Sequence, residues 1–259
     1  MRLIRRMLIT GLLLMAVSAA SHAQFYRVYG YMTAEAKEKE LVLWNTLVPS
    51  SDHDYSFFGD TLGRQGLMAH SLEVEYGITN RLTVAIYADF EQPRDGSFKF
   101  TGSKAVMFYY RLFDKNYLPV DLALYGEYKL PRKAYKEAEE IEFKLIMEKD
   151  LGNHRIVLNP TFEKKISGED VSEGMEFILN GAYSYMGNQM IQPRLEYYSK
   201  YGEIREVKAW AEQKNYVFAG FDLNFGKYGQ FIWHTGVGFG LTDPTDNIVV
   251  KSILSWGFF

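Results

Sequence analysis

"QFIWHTGVGFGLTDPTDNIVVKSILSWGFF", residues 230–259, alternates with a period of two. In its first arm Phe231, Trp233, Val237, Phe239 and Leu241 share one parity, while Gln230, His234, Gly236, Gly238 and Gly240 share the other. Such alternation marks a strand, whose side chains project to opposite faces in turn. One face here is apolar and aromatic; the other is polar or bare glycine. A soluble sandwich buries its oily face between sheets, whereas a barrel in lipid turns that face outward and keeps the polar one for its lumen.

After the turn-rich "TDPTDN" (242–247), the return arm places Ile248, Val250, Leu254, Trp256 and Phe258 on the apolar parity. This arm resembles the terminal strand of bacterial outer-membrane barrels, where a final aromatic is part of the assembly signal. The resemblance implies that role for Trp256, Phe258 and Phe259, and it implies the barrel-assembly machinery as a partner. Phe259 departs from the pattern by sharing its parity with Lys251 and Ser255.

The pattern recurs upstream. Residues 40–48 give a first strand with weak face contrast. Next, Met68, Leu72, Val74 and Tyr76 oppose Ser71, Glu73 and Glu75; after the turn "GITNR", Leu82, Val84, Ile86, Ala88 and Phe90 oppose Thr83, Tyr87, Asp89 and Glu91. Strands follow over 98–112, 118–130, 140–148, 155–163, 175–186, 190–200 and 216–225. With the final hairpin they make twelve, an even number as a single-chain bacterial barrel requires. In the 98–112 strand Val106 falls on the outer parity, and so does Lys104, which predicts a bulge there or a position near the interface. Pro160, without a ladder donor, predicts a bulge or an edge-like defect. Short connections ("GITNR", "FDKNY", "KDLGNH", "MGN", "GKYG") alternate with longer ones around 50–66, 131–138, 167–173 and 201–213, as turns and outer loops do in such barrels. The expected fold is therefore an all-β, antiparallel transmembrane β-barrel of about twelve strands over residues 40–259. A sandwich fits less well, because charges occupy the polar face of nearly every strand.

The N-terminus points to the same compartment. Arg2, Arg5 and Arg6 precede a 14-residue run from Met7 to Ala20, and "SHA" stands before Gln24. This predicts a cleaved signal peptide over 1–23, since the run is short of the roughly 20 residues of a spanning helix. Residues 24–39 form a polar lead-in without clear periodicity on the periplasmic side. The chain has no cysteine, which excludes disulfides, thiolate sites and a lipoprotein anchor. Without residues 1–23 the net charge moves from −3 to −6, and nothing suggests nucleic acid. Aromatics make up 16% of the chain, yet its mean hydropathy is −0.21. A helical membrane protein would be far greasier; a barrel averages its two faces.

"EVEYGITNRLTVAIYADF", "PVDLALYGEYKL", "IEFKLIMEKDLGNHRIVLNPTFEK" and "GVGFGLTDPTDN" are similar to the outer-membrane barrel family named for a meta-pathway of phenol degradation. The similarity runs over roughly Leu67 to Phe259. It implies a transporter or channel with a link to aromatic compounds, and it offers no catalytic residue to carry over. Its motifs are strand and turn patterns, which specify architecture better than substrate.

The inferred lumen carries the candidate site. Its acidic members are Glu73, Glu75, Asp89, Glu91, Asp121, Glu127, Glu140, Glu142, Glu148, Glu163, Glu196 and Asp222; its basic members are Arg111, Lys129, Lys144, Arg155 and Arg194. Twelve against five favours cations in a water-filled pore. The same charges also suit ion-pair networks that plug a narrow barrel, and strand number only bounds the width. His234 faces this lumen beside Asp222. Gly220, Gly236, Gly238 and Gly240 either leave a groove or relieve crowding; without a following lysine and helix they are no phosphate loop. Tyr87, Tyr109, Tyr125, Tyr198, Tyr216 and Phe218 add lumen aromatics.

For chemistry, His53 between Asp52 and Asp54 resembles in composition the Asp/His sets of outer-membrane proteases, though an exposed "SDHDYS" reads first as a solvated loop. His70 and Ser71 are strand neighbours that point to opposite faces. The segment "YGEIREVKAWAEQKN", with Trp210, has a helix-like composition. The expectation is thus a non-enzymatic channel or passive transporter for small solutes in the bacterial cell outer membrane, without metal or cofactor, its partners being outer-membrane lipid and the solute. The alternative is a plugged barrel with a surface role in adhesion, envelope integrity or loop-borne hydrolysis.

Overall fold

A computed structural model describes residues 26–135, 138–168, 171–226 and 230–259. The expected signal peptide and most of the turn 226–229 lie outside them. The strands are β1 (Lys39–Ser50), β2 (Asp54–Phe57), β3 (Asp60–Gly63), β4 (Met68–Thr79), β5 (Leu82–Gln92), β6 (Lys99–Arg111), β7 (Asp121–Pro131), β8 (Glu139–Leu151), β9 (His154–Ser167), β10 (Glu176–Tyr185), β11 (Ile191–Glu203), β12 (Glu206–Val207), β13 (Lys214–Phe225), β14 (Phe231–Gly240) and β15 (Ile248–Phe258). Twelve of them form the wall. Each pairs antiparallel with its neighbours, and β1 pairs with both β4 and β15, which closes the barrel. Closure leaves no unpaired edge, the condition for strands to cross lipid. β2 and β3 form a separate hairpin in the first long loop, and the two-residue β12 folds back to pair antiparallel with the end of β11.

The alternation read from sequence becomes the two faces of the wall. Outward Ile86, Leu195, Phe239 and Leu254 are 65, 53, 47 and 40% exposed, while Glu73, Tyr125, Phe218 and Lys251 are 1% exposed on the inside. Aromatic pairs gather near both ends of the outer face. Phe231 stacks on Trp256 with centroids 5.7 Å apart at the turn end, and Phe90 stacks on Phe98 at 5.1 Å at the loop end. This is an apolar band between two aromatic girdles, as lipid-embedded barrels carry. Among the described residues no helix is long and apolar enough to cross a membrane; the strands cross it.

The bulge expected in β6 is present. The register against β7 shifts between Val106 and Phe108 and swings the strand so that Lys104 and Val106 both face inward, Val106 only 4% exposed. Strict alternation had put Val106 outside. Pro160 introduces no register shift: it lies opposite Leu179, and ladder pairing with β8 skips from Lys144/Thr161 to Met147/Leu158. The missing donor interrupts the ladder without displacing the strand. The segment expected to be helix-like instead contains β12 and a single 3-10 turn, Trp210–Glu212, with Trp210 exposed.

The lead-in is where structure departs most from pattern. Residues 26–36 run up inside the barrel. Lys37 N donates to Gly77 O at the turn end, and Tyr26 packs against Tyr198, Tyr216 and Phe218 toward the loop end. Tyr26 and Val28 belong to one buried cluster with Val157, Ala182 and Val249; Tyr29 and Tyr31 belong to another with Val42, Trp44 and Ile146. The apolar core of this barrel therefore lies in its lumen and is centred on the N-terminal segment. The weak face contrast of β1 follows from it, since inward Val42 and Trp44 pack on the segment while Leu43 and Leu47 face lipid.

Candidate functional site

An irregular segment inside a barrel must find a partner for each backbone polar group, because the wall has spent its own on the ladder. Lumen side chains supply them. Asn159, fully buried, accepts from Tyr29 N at 2.7 Å and donates back to Tyr29 O at 3.0 Å. Glu148 accepts from Tyr31 N at 2.9 Å, and Thr83 Oγ1 accepts from Ala34 N at 3.0 Å. Arg194 donates to Val28 O at 2.9 Å, Lys251 donates to Tyr26 O at 3.2 Å, and the Tyr109 hydroxyl donates to Gly30 O. The charged wall thus acts first as a socket for the segment.

Most of the remaining lumen charges pair with one another. Lys251 and Arg194 both reach Glu196, and His234 sits between Asp222 and Glu196. Arg155 pairs with Glu148 and Asp150 at 3.2 and 2.7 Å, joined from the turn by Lys115. Lys144 pairs with Glu142 at 2.7 Å, Lys129 with Glu140 at 3.6 Å, and Lys200 with Glu163 at 3.0 Å. Arg111 lies over the Tyr31 ring, Glu127 accepts from Tyr125, and Asp121 caps the turn through Asn116 N. The sequence reading left out Lys104, which the bulge turns inward, Lys200 and Lys251, which share the inward parity, Lys115 from a turn and Arg27 on the segment; it also left out the acids Glu40, Asp150 and Glu176.

Among the described residues, two cavities flank the segment, one on each side. The outer one, about 200 Å³, is lined by Asp89, Glu91, Lys104, Glu127, Lys129, Glu140, Glu142, Lys144 and Glu163, among others. The inner one, about 320 Å³, lies toward the turn end among Met32, Thr33, Glu38, Glu40, Glu75, Arg194, Asp222 and His234. Buried Glu73 accepts from Trp44 Nε1 at 2.9 Å and lies 3.9 Å from Arg27 Nη1. The lumen glycines leave no groove: the Phe218 ring occupies the space where a Gly238 side chain would begin. Gly238 thereby admits the ring that packs on Tyr26, whereas a side chain at Gly220 or Gly240 would meet the Thr235 carbonyl or Thr245.

At the loop end, Arg64 makes two hydrogen bonds to Asp246, at 2.8 and 2.9 Å, with both side chains at most 4% exposed. This ties the first long loop to the last. Burial alone would raise the Asp246 carboxyl, but the Arg64 guanidinium outweighs it and holds the carboxyl below its ordinary range. Tyr55 and Phe57 of the β2–β3 hairpin pack on Val48 and Leu67, with Lys99 over Phe57 and Phe58. His53 shares this role: its Nε2 meets Thr245 O at 3.0 Å, and Asp52 accepts from Asn247 at 2.9 Å. His70 faces outward and bonds Asn45, while Ser71 faces inward to Asp89. Trp256 and Phe258 end the outer face of β15, and Phe259 is 76% exposed just beyond it.

Alternation on the wall was readable from sequence; the segment's part was not. The signal available was the cluster Tyr26, Tyr29 and Tyr31 in a stretch with no strand partner, matched by unexplained inward aromatics on the wall.

No protein-family model matches the chain, and no curated protein matches it. Among solved structures, an outer membrane channel from Pseudomonas putida F1 is similar over 88% of this chain and 98% of its own, at 12% identity and a TM-score of 0.62. The KdgM porin in complex with disordered oligogalacturonate is similar over 85% and 99%, at 9% identity and a TM-score of 0.58. At such identities the likeness shows the fold, that of bacterial outer-membrane barrels, and the apolar outer band agrees with a place in that membrane.

Proposed function

We propose that this outer-membrane barrel is a channel or passive transporter for small solutes, which diffuse through its polar interior. The observation that carries the reading is the pair of charged cavities, one toward each mouth, parted by the N-terminal segment while the wall around them is continuous. A segment held by side-chain hydrogen bonds is a removable obstacle; a narrowed wall would not be. The lumen's acidic members still outnumber its basic ones, which favours cations, and the likeness to the phenol-degradation family adds aromatic compounds as candidate solutes. The closing strand, ending on Trp256, Phe258 and Phe259, fits recognition by the assembly machinery.

The test is single-channel conductance of the refolded chain in a planar bilayer, with and without residues 24–36. Small, cation-preferring steps in the chain that keeps the segment and several-fold larger ones in the truncated chain are expected. A folded barrel that stays silent in both forms overturns the channel reading. It would favour a closed barrel with a surface role, to which the depth of the segment in the lumen also lends itself.

A further inference from the structure

Among the described residues, Arg27 alone lines both cavities described above. Its guanidinium lies 4.8 Å from the Tyr29 ring centroid and 5.1 Å from that of Trp44. One nitrogen, Nη1, stands 3.9 Å from Glu73 Oε2 and 3.8 Å from Glu75 Oε1 and, among the described residues, makes no hydrogen bond. Glu40 lies opposite Glu75 across β1 and β4, so the site sets three carboxylates against one cation.

Two aromatic faces beside buried carboxylates make a cup for a flat or compact organic cation. Its present occupant is held by charge and ring faces without the 2.7–2.9 Å hydrogen bonds of a well-seated pair. The backbone that carries it, fixed at Val28 and Tyr29, sets that distance.

We propose that Arg27 is the specificity-determining residue of the barrel: its guanidinium is a tethered occupant of an organic-cation site formed by Glu73, Glu75 and Trp44, and a guanidinium- or ammonium-bearing solute crosses from the outer to the inner cavity by taking its place. This rests on the channel reading. An anion cannot make the exchange, since it would leave Glu73 and Glu75 without a counter-charge in a buried site. A small inorganic cation gains little from the two rings.

The experiment measures block of sodium current by guanidinium chloride in planar bilayers, for the full chain and for Arg27→Ala. Arg27 stands on the segment and outside the wall ladder, so heat-modified gel migration should show both chains folded. Without the tethered competitor, the guanidinium concentration giving half-block should fall by roughly tenfold or more. Adding Glu75→Gln to Arg27→Ala should abolish the gain. An unchanged half-block concentration in Arg27→Ala, with current steps still present, overturns this assignment and leaves the channel reading intact. Silence of both folded chains overturns this assignment; only silence of the chain lacking residues 24–36 as well overturns the channel reading with it. If the double variant does not fold, the comparison of Arg27→Ala with the parent chain decides the question alone.

Discussion

Asn159 shows how a single lumen side chain can set the state of the interior. It satisfies both backbone groups of Tyr29 and has no access to water. Asn159→Ala would leave a buried donor and acceptor unmet, weakening the docking of the segment by about 1–3 kcal/mol for each. Amide exchange at Tyr29 should therefore accelerate while exchange in the wall strands stays slow; equal protection in the two proteins would refute the socket. Arg64 and Asp246 act at the same scale outside the membrane. Because the folded carboxyl titrates below its unfolded value of about 3.9, the clamp's contribution is fully present above that value and is lost as pH falls through the lower, folded one. Asp246→Asn should abolish this acid dependence, leave Arg64 buried without a counter-charge, and loosen the first loop by about 3–5 kcal/mol. Limited proteolysis of residues 51–66 against pH would report both effects, and identical profiles for parent and variant would show that the clamp does not hold the loop.

At the scale of elements, β14 and β15 carry the clearest division between lipid and lumen. Leu254 faces outward near the middle of β15, opposite Leu43 on one neighbour and Trp233 on the other. Leu254→Arg would place a charge close to the bilayer midplane, at about 2–4 kcal/mol, and denaturant titration of the barrel in lipid should show a loss of that size. The same change at Lys251, three residues away and inward, would keep the charge and alter only its reach. A loss much below that range for Leu254→Arg would mean that β15 does not face the acyl chains. The β6 bulge shows the limit of reasoning from alternation. One extra residue reverses which parity faces inward, and the hint in the sequence was a lysine on the oily parity.

For the whole molecule, the twelve-strand wall and its two faces were legible in the chain because lipid imposes them residue by residue. Outward positions are predominantly apolar, and a period of two is visible without knowing any contact. Most lumen candidates could be named on the same ground, from Glu73 and Glu75 through Lys144 and Glu163 to Asp222 and His234. Their partners could not be named. Glu196 meets Lys251 across 55 positions, Glu148 meets Tyr31 across 117, and Asn159 meets Tyr29 across 130. Nothing local in the sequence encodes such distances. The lead-in was the largest omission for the same reason: a segment without a ladder has no period, and its tyrosines acquire meaning only beside the rings of Tyr125, Tyr198 and Tyr216. The sequence by itself thus determined a membrane-spanning barrel with a charged inner face. Only the tertiary structure decided that this face grips a segment, divides the lumen in two and sets Arg27 between the halves, because those outcomes depend on contacts made through closed space and not along the chain.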